Sequence, residues 1–413
     1  MVPKGWTLGT LKDLADTIMG YAFRSEDFVP TGIPLLRMGN LYQNTLDLNR
    51  NPVYLPDSFK FDYKRFLVSP GDLVMSMTGT MGKRDYGFTV EIPSNTQYSL
   101  LNQRVLKIVP KNNASSGYIL NLLRSELILS VLYSFPGGTK QANLSAKQLQ
   151  EIPVLIPPEL EQKKIAQILS TWDKAISVTE KLLANSQRQK KALMQQLLTG
   201  KKRLLDENGV RFSGEWEVVR LKQLIHEVKK RNRDNHIQRV LSVTNHSGFV
   251  LPEEQFSKRV ASEDVSTYKI VKKNQYGYNP SRLNVGSFAR LDNYDEGVLS
   301  PMYVVFSINH ERLNSDYFLN WMSSNEAKQR IAGSTQGSVR DSVGFDALCS
   351  FSFSLPTLME QQKIAAVLSA ADAEMSMLEK KLACLKEEKK ALMQQLLTGK
   401  RRVKVESEET VSA

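Results

Sequence analysis

The chain has 413 residues, 41% of them hydrophobic and 24% charged, with a formal net charge of +12. Such a length exceeds one ordinary core and the composition excludes a mainly disordered or fibrous chain, so two to four globular domains are expected. The basic balance points to an acidic partner such as nucleic acid.

Two cysteines, Cys349 and Cys384, lack CxxC spacing, and His226, His236, His246 and His310 form no ligand cluster. A disulfide framework and a zinc site are therefore not expected, and no metal ligand is assigned. The opening Met1-Val2-Pro3-Lys4-Gly5-Trp6 lacks a signal-like apolar run. No stretch approaches the ~18 apolar residues of a membrane span, so the expected location is the cytoplasm, with no membrane partner.

Residues 1–155 read as a first domain. Trp6-x4-Leu11-x2-Leu14 opens it as a strand followed by a short helix. Strand patterns follow at Asp72–Met77 and Arg104–Val109, then a helical one at Tyr118–Tyr133. Between them run polar loops, Arg37–Asn40, Thr78–Arg84, Asn102–Arg104 and Gly137–Asn143. Reading DNA bases takes Arg, Lys, Asn or Gln side chains that reach base edges, helped by others that hold phosphate. The candidates here are Arg37, Asn40, Thr78, Lys83, Arg84, Gln103, Lys140 and Gln141; for any single one, a solvated loop side chain is the competing reading.

Residues 156–204 form a helical region. After Pro157-Pro158, apolar positions recur at alternating spacings of four and three: Ile165, Leu169, Trp172, Ile176, Thr179, Leu183, Ser186, Lys190, Leu193, Leu197. That is a heptad stripe, which wants a helical partner. Gly200 stands where a left-handed cap would end the helix, after about 39 residues or roughly 58 Å.

A second domain, residues 205–355, opens with the same Trp216-x4-Leu221-x2-Leu224 pattern and then diverges. Weak parallels join Val68–Val74 to Val271–Gly277 and Leu101-Asn102-Gln103 to Leu299-Ser300-Pro301. Tyr303–Ile308 reads as a strand and Ser315–Ile331 as a helix. Its loops offer Asn245, His246, Arg282, Arg290, Gln336 and Arg340 as DNA-contacting candidates, with His246 read as a polar loop residue rather than a switch.

Residues 356–403 repeat the helical region. Glu161–Arg203 aligns without a gap on Glu360–Arg402 at an offset of 199, and both copies contain KKALMQQLLTGK. This is a duplication. The second stripe is Ile364, Leu368, Ala371, Met375, Leu378, Leu382, Leu385, Lys389, Leu392, Leu396, with Gly399 as its cap. Two such helices satisfy each other as an antiparallel intramolecular coiled coil. Lys190 and Lys389 fall on the stripes and are expected to snorkel at the bundle end, a register-fixing or partner-contacting role being the alternative. The two repeats hold most of the positive excess, and the tail, 404–413, is expected to be disordered. Because the dodecamer is the stretch most alike between copies, Leu193, Gln196, Leu197, Leu392, Gln395 and Leu396 are expected to dock two copies of one partner.

The fold class is thus α+β: two mixed domains alternating with two paired helices, in a pseudo-twofold duplication. Near-identical coils carrying divergent domains suggest a frame positioning two variable readers. No enzyme signature accompanies it, and no catalytic residue is assigned. Tyr278-Asn279-Pro280-Ser281 and Ile156-Pro157-Pro158-Glu159 do not fit the N/D-P-P-Y/F loop of an adenine methyltransferase. Gly79–Arg84 lacks the P-loop gap and the Ser/Thr after its lysine. A coiled-coil protein-interaction scaffold without DNA specificity is the alternative from another class.

With these features in place, residues 1 to about 403 resemble the specificity subunit of type I restriction-modification systems, down to the LLTGK ending of each helix. The resemblance implies that each recognition domain reads one half of a split site on double-stranded DNA. It further implies that the helices set the unread spacer and dock two methyltransferase subunits, with motor-nuclease subunits joining that core. S-adenosylmethionine, Mg and ATP are then expected on those partners, and no cofactor on this chain.

Overall fold

A computed structural model describes residues 2–80, 82–135, 141–252, 264–335 and 342–405. Its contacts divide the chain into two compact units, residues 1–180 with 380–413, and residues 181–379. The long helices are Glu159–Leu197 and Leu358–Leu397; each gives one half to either unit.

The first unit is built on a four-stranded antiparallel sheet in the order Thr89–Glu91, Leu73–Ser76, Val105–Pro110, Ala15–Met19. Side chains alternate across such a sheet, and both faces are buried. Leu73, Met75, Leu106 and Ile108 face the helical core with Tyr118, Ile119 and Leu122, while Val74 and Val105 pack with Leu36, Leu101 and Val68. That other side is covered by a second sheet, Tyr54–Leu55, Ile33–Leu36, Ser99–Leu101, Leu67–Val68.

The second unit repeats the central sheet strand for strand: Phe288–Arg290, Tyr276–Tyr278, Val304–Ile308, Ile225–Glu227. Its core is aromatic where the first is aliphatic. Tyr276 stacks on Phe306 at 5.1 Å between centroids, and Trp321 lies 4.5 Å from Phe353. Gly71 (φ 86°) and Asn274 (φ 68°) turn the chain before equivalent strands, both left-handed as glycine and asparagine allow.

The expected strands appear, trimmed or shifted by a residue at their ends, as Leu73–Ser76, Val105–Pro110 and Val304–Ile308. The expected helices do not run unbroken. Tyr118–Tyr133 is two helices, Ser116–Leu123 and Glu126–Ser134. Ser315–Ile331 likewise divides into Ser315–Met322 and Asn325–Thr335. A serine sits at each break: Ser125 is extended, its hydroxyl donating to the Leu122 carbonyl, and Ser324 Oγ accepts from Ala327 N. Apolar periodicity carries across these breaks, so it does not reveal them; serine at an N-cap does.

In each unit the helix halves form an antiparallel coiled coil. As one partner's number rises the other's falls: Glu161 with Arg402, Asp173 with Lys389 and Glu180 with Lys386 in the first unit. The second unit has Ser186 with Glu374, Lys190 with Asp372 and Arg203 with Glu360. Every residue of both stripes is buried or half-buried. The snorkelling expected of Lys190 and Lys389 is corrected, because each amine meets an aspartate of the facing helix. A lysine on the stripe stays inside the seam when a carboxylate is there to receive it.

Each coil end is locked in the same way. The Glu360 carboxylate, 1% exposed, takes the Arg203 guanidinium by two bonds, one of them 2.7 Å, and the Trp216 indole N–H at 3.1 Å. Glu161 takes Arg402 and Trp6, the indole again at 3.1 Å. A carboxylate out of water requires such pairing. Gly399 and Gly200, at φ 67° and 70°, let the chain turn so that Lys202 N and Arg401 N reach back to Gln196 O and Gln395 O.

Gln162 and Gln361 fasten the recognition domains to the helices. Their side-chain oxygens accept from Ser115 N and Asn314 N, and their amides donate to Pro157 O and Pro356 O. No described helix is long and apolar enough to cross a membrane.

Candidate nucleic-acid interface

In the first unit the sequence-selected loops converge. The Arg37–Asn40 turn closes on itself, Arg37 N donating to Asn40 Oδ1 at 2.9 Å. The strand end beside it binds the next loop, Asn102 N to Leu36 O. From there Met77 N reaches Arg104 O, and Thr78 Oγ1 meets Met38 Sδ at 2.7 Å. Gln141–Asn143 pairs antiparallel with Thr78–Thr80, drawing in the fourth loop. Between the Arg37–Asn40 and Asn102–Arg104 loops and the Arg50-Asn51 segment lies a cleft of about 400 Å³ lined by Arg37, Asn40, Arg50, Asn102, Gln103 and Arg104, among others.

The candidates differ in what their polar atoms are free to do. Gln103 and Arg104 are exposed and their side chains have no protein partner among the described residues. Lys83 is likewise free, on the turn after Gly82. Asn40 is corrected from reader to loop fastener: it is 3% exposed and its amide donates to Asp47 O and Arg50 O. Thr78, 6% exposed, is spent on Met38, and Arg37 donates to Asn51 O. Arg84 is held by Glu126 at 3.0 Å and lies over the Tyr133 ring, both charges exposed. Gln141 sits in the paired strand; Lys140 lies outside the described residues.

Sequence reasoning did not single out Arg50, and it placed Arg104 in a selected loop without naming it among the candidates. Arg104 was hidden as the first residue of an expected strand. Arg50 lies in the polar run Asn49-Arg50-Asn51, whose positive-φ Asn51 brings it to the cleft, its guanidinium 5.0 Å from the Tyr42 ring centre.

In the second unit Asn245 and His246 form the exposed turn of a hairpin, Ser242–Thr244 with Gly248–Val250. That turn borders a cleft of about 480 Å³ shared with Asn284, Gly286 and Lys328. Arg282 is exposed on the turn Pro280–Val285 and makes no side-chain bond among the described residues. The two elements are tied, since Ser287 Oγ donates to Val243 O. Arg290 is corrected to a strut: its guanidinium donates to Asp292 at 2.6 Å and Asp316 at 2.7 Å. Burial opposes its charge, but the bonds from both aspartates outweigh that and hold it protonated. Gln336 and Arg340 lie outside the described residues.

The expected docking set also divides. Leu197 and Leu396 are 0% and 1% exposed within the cores of their own units, and Leu193 and Leu392 pack against those cores. Leu197 and Leu396 are corrected to core residues, while Leu193 and Leu392 are half-buried at the edges of those cores. Gln196 and Gln395 are exposed.

Family comparison assigns the whole architecture. The chain belongs to the type I restriction modification DNA specificity domain family, whose model matches residues 3–185 and again 213–387. It is a specificity subunit with two DNA-recognition domains, as its resemblance implied. A Methanocaldococcus jannaschii relative named for the MjaX type I restriction enzyme specificity subunit is 24% identical over 425 residues, covering 98% of this chain and 95% of that one. The MjaVIII specificity subunit of the same organism is 26% identical over 215 residues, 50% of this chain and 48% of that one. Among solved structures, a type I restriction-modification S subunit from M. genitalium aligns at TM-score 0.58 and 13% identity, over 96% of each chain. A chain from a type I system solved for its complex assembly and conformational transition aligns at TM-score 0.56 and 14% identity, covering 97% and 100%. Those two likenesses establish the fold.

Proposed function

We propose that this specificity subunit reads a bipartite site on double-stranded DNA, one half with each recognition domain, while its helix pair sets the unread spacer and docks two methyltransferase subunits. One observation carries the reading: the cross-helix pairs Lys190–Asp372 and Arg203–Glu360 recur 199 residues away as Lys389–Asp173 and Arg402–Glu161, whereas the free loop side chains are unlike, Gln103 and Arg104 in the first unit against Asn245, His246 and Arg282 in the second. A constant frame with variable loops suits a reader of two unlike half-sites. A helix of about 58 Å exceeds one turn of B-DNA, ~34 Å, so it is long enough to separate two readers by a spacer.

In this reading Gln103, Arg104, Arg50 and Lys83 contact the first half-site and Asn245, His246 and Arg282 the second. Arg and Gln can pair bidentately with guanine and adenine edges, and Lys suits phosphate. The chain itself is non-catalytic. It acts in the cytoplasm, and S-adenosylmethionine, Mg and ATP are used by the methyltransferase and motor-nuclease subunits joined to it.

Mapping adenine methylation across the genome at single-molecule resolution, with and without this gene, tests the whole reading. One split motif should vanish with the gene. An unchanged methylation pattern would refute it.

A further inference from the structure

The second unit contains a further cleft of about 730 Å³, which shares only Ser323 and Lys328 with the cleft beside Asn245 and His246. One wall is the end of the first long helix, carrying most of the duplicated dodecamer. The other is the break at Ser323–Ser324 and the first turn of Asn325–Thr335. Met194, Leu198 and Met375 give it an apolar floor, and Lys191, Lys201 and Lys328 stand on its rim.

Its free charge is all of one sign. Glu326 is taken by Arg330 at 2.7 Å, and Lys190 by Asp372. Lys191, Lys201 and Lys328 are exposed and form no ion pair among the described residues. The helix that starts at the rim adds the positive end of its dipole, although Ser324 caps the Ala327 N–H, and this end also favours negative charge. Two occupants could answer that charge, an acidic protein segment or the DNA backbone. The floor decides between them: phosphodiesters offer nothing to bury against two methionines and a leucine. A peptide with an apolar anchor between acidic residues meets both needs.

We propose that this cleft seats an acidic, apolar-anchored segment of the partner subunit docked on the second unit. The inference rests on the reading that the helices dock methyltransferase subunits, and it adds an asymmetry to it. The helix wall recurs 199 residues later as Lys390, Met393, Leu397 and Lys400, but the residue 199 before Lys328 is Leu129, half-buried against the first unit's core. The partner seat of the second unit is therefore the more basic of the two.

The test uses the full chain and the methyltransferase subunit of the same system, mixed and weighed by native mass spectrometry. Wild type should give a two-to-one complex, and Lys328→Glu should accumulate the one-to-one form. The triple change Lys191→Glu, Lys201→Glu, Lys328→Glu should weaken loading of that second copy about tenfold. A carbodiimide, which joins amines to touching carboxylates, should link these lysines to Asp or Glu of the partner. Full two-to-one assembly by the triple variant, with no such link, overturns the inference and leaves the docking reading standing. Unchanged assembly with weaker binding of a random-sequence duplex also overturns it, making DNA the occupant. Failure of the wild-type chain to bind the subunit at all overturns both. Lys328→Met, which removes charge without adding any, should show the same direction of change with an unaltered melting curve.

Discussion

Lys389 on the second long helix donates to Asp173 on the first at 2.6 Å, with the lysine side chain only 14% exposed. Lys190 and Asp372 repeat the pair 199 residues away in the duplication. Each lysine occupies a stripe position where a coiled coil takes an apolar residue. A polar group there costs stability but penalises every other register, since a slipped helix would leave the amine facing apolar side chains. The pair is thus a register pin.

That predicts a separation of stability from alignment. Asp173→Ala alone leaves the amine half-buried and unpaired, so the chain should melt lower. Asp173→Ala with Lys389→Met should recover much of that loss, with a coupling energy of about 0.5–3 kcal/mol in a double-mutant cycle. Additive effects of the two changes would show that the pair is not coupled. If the frame sets the spacer, removing both pins should also blur the spacer length in methylation mapping.

The coil-end lock gives a second expectation. Removing the guanidinium by Arg203→Met leaves Glu360 buried with only the Trp216 indole as a side-chain partner. Breaking a buried pair from one side costs about 3–5 kcal/mol, so denaturant titration should show the second unit unfolding markedly earlier. Arg402→Met should cost less, because that arginine is 40% exposed against 20% for Arg203. Equal losses would mean that solvent access does not govern the lock.

A third concerns the readers. Gln103→Ala and Arg104→Ala remove free side chains from the first cleft, so melting should stay put while the first half-site loses discrimination by about 1–3 kcal/mol per base contact. Arg282→Ala should alter only the second half-site. Asn40→Ala and Arg290→Met, in contrast, remove fasteners and should lower stability before they change specificity. Binding measured on half-site variants distinguishes the two groups, and a specificity change from Asn40→Ala at full stability would return it to the readers.

These residues show what was legible in the sequence. The stripes, both glycine caps and the paired opening tryptophans follow from local spacing, and the structure has them where the period put them. The lock does not: antiparallel pairing brings the end of one helix to the start of the other, but nothing local says that Arg203 and Glu360, 157 residues apart in sequence, join there with Trp216. Arg50 and Asn40 show the same limit, since loop polarity cannot tell a free side chain from one consumed by backbone carbonyls. The dodecamer misled in a particular way. Its identity between copies suggested an exposed docking surface throughout, yet Leu197 and Leu396 are repeated because two cores require the same plug.

The dodecamer therefore carries a last prediction, which divides it by burial. Leu197→Ala and Leu396→Ala each empty a fully packed site, and such truncations cost about 2–5 kcal/mol. Each should lower the melting point of the chain, whatever subunit is present. Gln196→Ala and Gln395→Ala touch exposed side chains whose loss should stay within about 0.5 kcal/mol of folding stability. If the dodecamer docks partners, these changes should weaken the complex with the methyltransferase subunit while leaving the free chain's unfolding curve in place. Titrating that subunit against each variant, alongside unfolding of the free chain, separates the roles. Should the glutamine variants assemble with wild-type affinity, the dodecamer's identity would reflect core packing and helix capping alone, and docking would fall to other exposed residues of the helices.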